Sequence, residues 1–166
     1  MKHKTFTGFT LIELLVVVGV IGLLAAVILG SISSARGKGK DAKVKQSATE
    51  IRKLLEFEYG DSSSYVNLLA AWFPDAAACN AGFNGTYAVN MRAICSSAVT
   101  TIGATSPGGG IYPIFIGAQS VITTRYTIMM WLPHKGRYYC IGSNGEVSET
   151  TDGSTWNAPG CYADTT

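Results

Sequence analysis

The sequence predicts an α+β protein in which one long N-terminal α-helix leads into a C-terminal antiparallel β-sheet. Three observations predict it. From Phe9 to Leu29 the chain is almost wholly apolar; from Asp41 to Tyr59 apolar residues recur at helical spacing; and from Ile111 onward β-branched and aromatic runs alternate with turn signals. The 166 residues are 47% hydrophobic and carry a formal net charge of +2, from 13 Lys+Arg against 11 Asp+Glu. A mean hydropathy of +0.21 is high for a wholly soluble chain, and much of the excess sits in the opening run. Setting that run aside leaves enough chain for an independently folding domain. One membrane-embedded segment plus one globular domain is the economical organisation.

Residues 1–8 are short and carry Lys2, His3 and Lys4. An ordinary secretory signal is cut at small residues after its apolar part, whereas here Gly8 precedes it, so the apolar segment is expected to stay in the product. Phe9 to Leu29 meets the ~20 residues that a helix needs to span a bilayer. It nevertheless contains Glu13, although an ionised acid at a membrane helix centre costs about 2.5–3.5 kcal/mol on insertion scales. Gly19, Gly22 and Gly30 interrupt the run; glycine suits close helix packing in membranes, and equally a segment able to bend.

Beyond Gly37 and Gly39, the stretch DAKVKQSATEIRKLLEFEY places Val44, Ala48, Ile51 and Leu55 on one helical face. Lys43, Gln46, Glu50 and Lys53 fall on other faces. A helix from Phe9 to Tyr59 would be about 75 Å long at ~1.5 Å per residue, its first half suited to lipid and its second to packing on a soluble sheet. Gly60 and the polar residues after it read as its stop. Residues 60–110 read as a long connection, ending in the glycine-rich Ser106–Gly110. Strand-like runs follow from Ile111, Thr124 and Arg137, separated by turn signals at 133–136 and 143–145, so an antiparallel meander is expected. The domain boundaries are therefore a leader over 1–8, a membrane-suited helix half over 9–35 and a head over 36–166. Within the head, 111–166 supplies the sheet and a cysteine-closed tail.

All four cysteines, Cys79, Cys95, Cys140 and Cys161, lie in the second half, and none belongs to a CxxC pair. Zinc sites favour closely spaced ligand pairs, so disulfides in an oxidising compartment are the better reading and no metal is expected. Four cysteines allow three pairings, among which sequence does not choose. Nearest-neighbour pairing, Cys79 with Cys95 and Cys140 with Cys161, is the expectation adopted.

Gly8-Phe9-Thr10-Leu11-Ile12-Glu13-Leu14-Leu15 resembles the processing and assembly signature of type IV prepilins and type II secretion pseudopilins. The resemblance is specific over Met1 to about Ala35, and beyond that it covers architecture alone. It implies a pilin-like α+β fold. It also implies cleavage by a prepilin peptidase between Gly8 and Phe9, N-methylation of Phe9, and pairing of Glu13 with the new amine of a neighbouring subunit. Gly22 and Gly30 lie where assembled pilins of that family often unwind, although no proline accompanies them here. The implied role is a structural subunit of a type IV pilus that self-associates into a helical filament. The peptidase and a membrane assembly platform are the implied partners. The precursor would cross the membrane once, and the product would lie in an extracellular pilus. A periplasmic pseudopilus subunit is the nearest alternative, for which Glu149 and Asp152 keep a calcium site open. A minor tip pilin for adhesion or DNA binding is another.

No nucleophile-elbow, P-loop or paired-histidine motif occurs, His3 and His134 are isolated, and no catalytic residue or cofactor is expected. Without Lys2 and Lys4 the charges balance, which gives no general reason for nucleic-acid binding, although a local basic stripe remains at Arg36, Lys38, Lys40, Lys43 and Lys45. By the positive-inside rule that stripe favours a cytoplasmic head. The cysteines and the cleavage signature favour the opposite side and outweigh it, because prepilins use dedicated insertion machinery. Asn84-Gly85-Thr86 has the form of a glycosylation sequon, a short pattern that chance often produces.

Overall fold

The computed structural model describes residues 8–65, 71–103, 112–119, 122–151 and 161. The chain divides into two compact units, 1–36 and 37–166. Helix α1, Leu11–Ser62, supplies the regular structure of the first and enters the second.

In the first unit, among the described residues, nothing covers the large apolar side chains. From Phe9 to Ile28 every large hydrophobic residue is exposed, at fractions between 51% and 84%. The helix runs unbroken through Gly19, Gly22 and Gly30. It is long and apolar enough to cross a membrane.

In the second unit α1 changes character as its periodicity predicts. Val44, Ala48, Ile51 and Leu55 are buried and join one core with Ile114, Ile116, Ile128, Met130 and Ile141 of the sheet. The sheet is a five-stranded antiparallel meander of β1 (Ala71–Phe73), β2 (Ile114–Gln119), β3 (Ile122–Leu132), β4 (Arg137–Gly142) and β5 (Val147–Thr150), adjacent in that order. Strand alternation separates two faces. Ile128 pairs with Ile141 toward α1, whereas Met129 pairs with Cys140 on the far face. There, Phe115, Met129, Tyr138, Cys140 and Cys161 form a second cluster. Burial pushes the Tyr138 phenol up to about 12, and its hydroxyl donates to the Tyr112 carbonyl at 3.0 Å. Gly136 (φ 65°) and Gly145 (φ 86°) supply the left-handed backbone that the two later turns require. The result is the α+β, pilin-like arrangement of a long apolar-to-amphipathic helix packed on an antiparallel sheet.

The helix ends at Ser62, inside the polar stretch after Gly60 expected to stop it, and the following Ser63, at φ 53°, is the left-handed residue that breaks it. Two expectations need correction. The expected connection over 60–110 holds β1 and two helices, α2 (Ala76–Ala81) and α3 (Ala88–Ile102). Finally, Pro113 delays the strand expected from Ile111, so that β2 begins at Ile114.

Helix α3 buries Met91, Cys95, Ala98 and Ile102 at helical spacing. Thr100 and Thr101 donate their hydroxyls to the carbonyls of Ser96 and Ser97, both at 2.8 Å. Its start is held from a distance. Glu58 of α1 accepts the Thr86 N–H at 3.4 Å and the Tyr87 N–H at 3.3 Å, placing a carboxylate at the positive end of the helix. Gly85 sits so close that a Cβ there would meet Glu58 Oε1. Disulfides join Cys79 to Cys95, linking α2 to α3, and Cys140 to Cys161, tying residue 161 to β4.

Candidate functional site

The candidate site is the start of α1. Thr10 stands before the first helical residue, Leu11, and Glu13 lies three positions after Thr10. The Thr10 backbone N–H donates to Glu13 Oε2 at 2.9 Å and the Thr10 hydroxyl donates to the same oxygen at 2.8 Å. In return the Glu13 N–H donates to Thr10 Oγ1 at 3.3 Å. This reciprocal pattern is a capping box: each side chain satisfies a backbone donor that a helix start leaves free. Sequence reasoning finds Glu13 but misses Thr10, although the T-x-x-E spacing before an apolar run is the signal that reveals it.

Around the carboxylate, Phe9, Ile12, Val16 and Val17 form a shallow apolar dip. Glu13 is thus a hydrogen-bonded anion set in a hydrocarbon surface, with no cation beside it among the described residues. Gly8 is exposed, and a Cβ there would touch nothing within 4 Å, so packing does not demand the glycine.

In the head, the basic stripe divides. Lys45 pairs with Glu149 Oε1 at 2.6 Å and lies 5.0 Å from the Tyr139 ring centre, while Lys135 reaches Glu149 Oε2 at 2.8 Å. The ammonium groups of Lys135 and Lys45 hold the Glu149 carboxyl below the usual carboxylate range. A carboxylate engaged by two lysines is poorly placed to ligate calcium, and Asp152 lies outside the described residues. Lys38, Lys40 and Lys43 are exposed. His134 sits in the turn between β3 and β4, its backbone N–H donating to Asp41 Oδ1 at 3.0 Å and its ring against Gly37. Asn84 of the sequon is exposed. Lys2, His3, Lys4 and Ser106–Gly110 lie outside the described residues.

Two comparisons bear on this arrangement. Residues 4–29 match the family model of the prokaryotic N-terminal methylation motif, which spans the leader end, the capping box and the apolar run. Over 64 residues the chain is 39% identical to the type IV wide pilus major component PilA4 of Thermus thermophilus, covering 39% of this chain and 49% of that protein. The chain therefore spans about half the length of the curated relative it matches. No solved structure matches it. The methylation motif over residues 4–29, with the similarity to a major pilus component, supports placing this chain in the type IV prepilin family.

Proposed function

We propose that this chain is a structural subunit of a type IV pilus, made as a membrane-anchored precursor and polymerised through its N-terminal helix. One observation carries the reading: an apolar helix surface, exposed from Phe9 to Ile28, opens around a capped carboxylate, Glu13, five residues after an unobstructed glycine, Gly8. Each large apolar side chain moved out of water contributes about 1.5–3 kcal/mol. Fourteen such residues are exposed between Phe9 and Ile28, so covering them contributes on the order of tens of kcal/mol. Lipid covers them in the precursor and neighbouring helices cover them in the filament. The role is structural rather than catalytic.

Cleavage between Gly8 and Phe9 creates an amine four residues before Glu13, and methylation keeps that amine basic. Glu13 of one subunit then pairs with the Phe9 amine of the next, two charges that are each costly in an apolar bundle and that offset one another when they meet. The prepilin peptidase and the membrane assembly platform are the partners this sequence of events requires. Gly22 and Gly30 are the positions where the helix would loosen during packing. Mass spectrometry of the mature N-terminus tests the reading: a chain beginning at N-methylated Phe9 is expected, and a mature chain retaining Met1 refutes it. Glu13→Ala is expected to abolish filaments without lowering precursor levels.

A further inference from the structure

Lys38, Lys40 and Lys43 project from α1 soon after the apolar run ends, and all three are exposed. Among the described residues none has an acidic partner, unlike Lys45, which Glu149 holds. From Leu14 to Lys40 the chain contains no acidic residue. Asp41, the acid nearest these lysines in the chain, is turned away from solvent at 4% exposure, with Oδ1 occupied by the His134 N–H. The residues between the lysines that share their exposure are Gly39 and Ala42, too small to hold a broad surface at a distance. The exposed part of this stretch is therefore cationic and low in relief.

We infer that Lys38, Lys40 and Lys43, which lie around α1 rather than on one face of it, dock anionic lipid headgroups at the membrane surface from which the precursor's apolar segment emerges. The inference rests on the membrane-anchored precursor proposed above. Charge complementarity supports it, because a polybasic segment next to a membrane span is drawn to negatively charged headgroups, with an effect that fades within a Debye length. Chain order gives it a gradient: Lys38 is nearest the apolar run and Lys43 farthest. A flexible polyanion such as DNA would meet the same charges, but nothing in chain order would then favour Lys38.

The test inserts the full chain into lipid nanodiscs of phosphatidylcholine alone or with phosphatidylglycerol, and measures the acylation rate of each lysine by mass spectrometry. Phosphatidylglycerol is expected to slow Lys38 about fivefold, with smaller effects along the order Lys38, Lys40, Lys43. Salt at about 1 M should erase the protection, and Lys53 should be unaffected. Equal rates in the two lipids overturn the inference, as does protection that includes Lys53. Protection by duplex DNA in neutral discs, without protection by phosphatidylglycerol, overturns it in favour of nucleic acid. A chain that enters the discs with unprotected lysines refutes the lipid contact alone. One that fails to enter them refutes the membrane anchor and the lipid contact with it.

Discussion

Replacing Glu58 with alanine tests whether α3 is held by a charge contributed from α1. Glu58 is 5% exposed and receives two backbone N–H groups, from Thr86 and Tyr87, at 3.4 and 3.3 Å. Those distances are long, so each bond falls below the usual charge-assisted range, at about 0.5–1 kcal/mol, and the carboxylate at the helix start adds about 0.5–1 kcal/mol. Glu58→Ala is therefore expected to cost about 2 kcal/mol. For a head of this size that lowers the melting temperature by about 6–10 °C in circular dichroism of the detergent-solubilised chain. Gly85 makes the test sharper. Its φ of 106° is strained for alanine, and a Cβ there would lie 2.6 Å from Glu58 Cδ. Gly85→Ala alone carries both the strain, about 1–3 kcal/mol, and the clash. In the Glu58→Ala background only the strain remains, so the second substitution should cost at least about 1 kcal/mol less there. Strictly additive costs, or a Glu58→Ala shift below about 2 °C, refute the arrangement.

Replacing Cys79 and Cys95 together with serine opens a loop with a sequence separation of 16 and should cost about 3 kcal/mol, seen as a lower midpoint in urea. Because Lys135 and Lys45 depress the Glu149 carboxyl, its contribution is complete above the unfolded value near 4.5 and is lost as pH falls through the lower folded value. Glu149→Gln should remove that part of the acid-side stability loss, with an effect of about 1 kcal/mol or less for these partly exposed pairs, read from melting temperatures between pH 2 and 7. Thr10→Val deletes the cap hydroxyl but keeps the charge of Glu13, so filament yield, scored by electron microscopy, should fall far less than in Glu13→Gln; equal losses would mean that the cap rather than the charge is what assembly needs.

Much of the fold was legible because its signals are local. The apolar run, the spacing of Val44, Ala48, Ile51 and Leu55, and the turns at 133–136 and 143–145 each declare themselves within a few residues. Helix α3 is hard to read locally, although Met91, Cys95, Ala98 and Ile102 keep helical spacing. Ser96, Ser97, Thr100 and Thr101 lower its intrinsic propensity, and the group that caps it comes from Glu58, remote in the chain. Strand β1 is legible only through its partner β2, since three residues carry no period. At the candidate site, Glu13 is legible because a charge in an apolar run is conspicuous, whereas a threonine at position 10 is not.

The capping box sharpens what the charge at Glu13 can contribute to assembly. Both donors from Thr10 converge on Oε2, and they are neutral, so they satisfy hydrogen bonding without cancelling the charge. The carboxylate has further acceptor capacity, and among the described residues nothing occupies Oε1. A neighbouring amine can therefore approach that oxygen while the box stays closed, and the helix start need not reorganise when subunits dock. Local satisfaction also fixes where the charge points, because the two Thr10 bonds hold the side chain against the first turn. The cost that would remain in an apolar bundle is the uncompensated charge, and in the filament proposed above the amine of an incoming subunit would remove it. A glutamine at position 13 would keep the shape and most hydrogen bonds yet remove the charge that the proposed docking would relieve, so the Thr10 and Glu13 variants are expected to separate charge from cap.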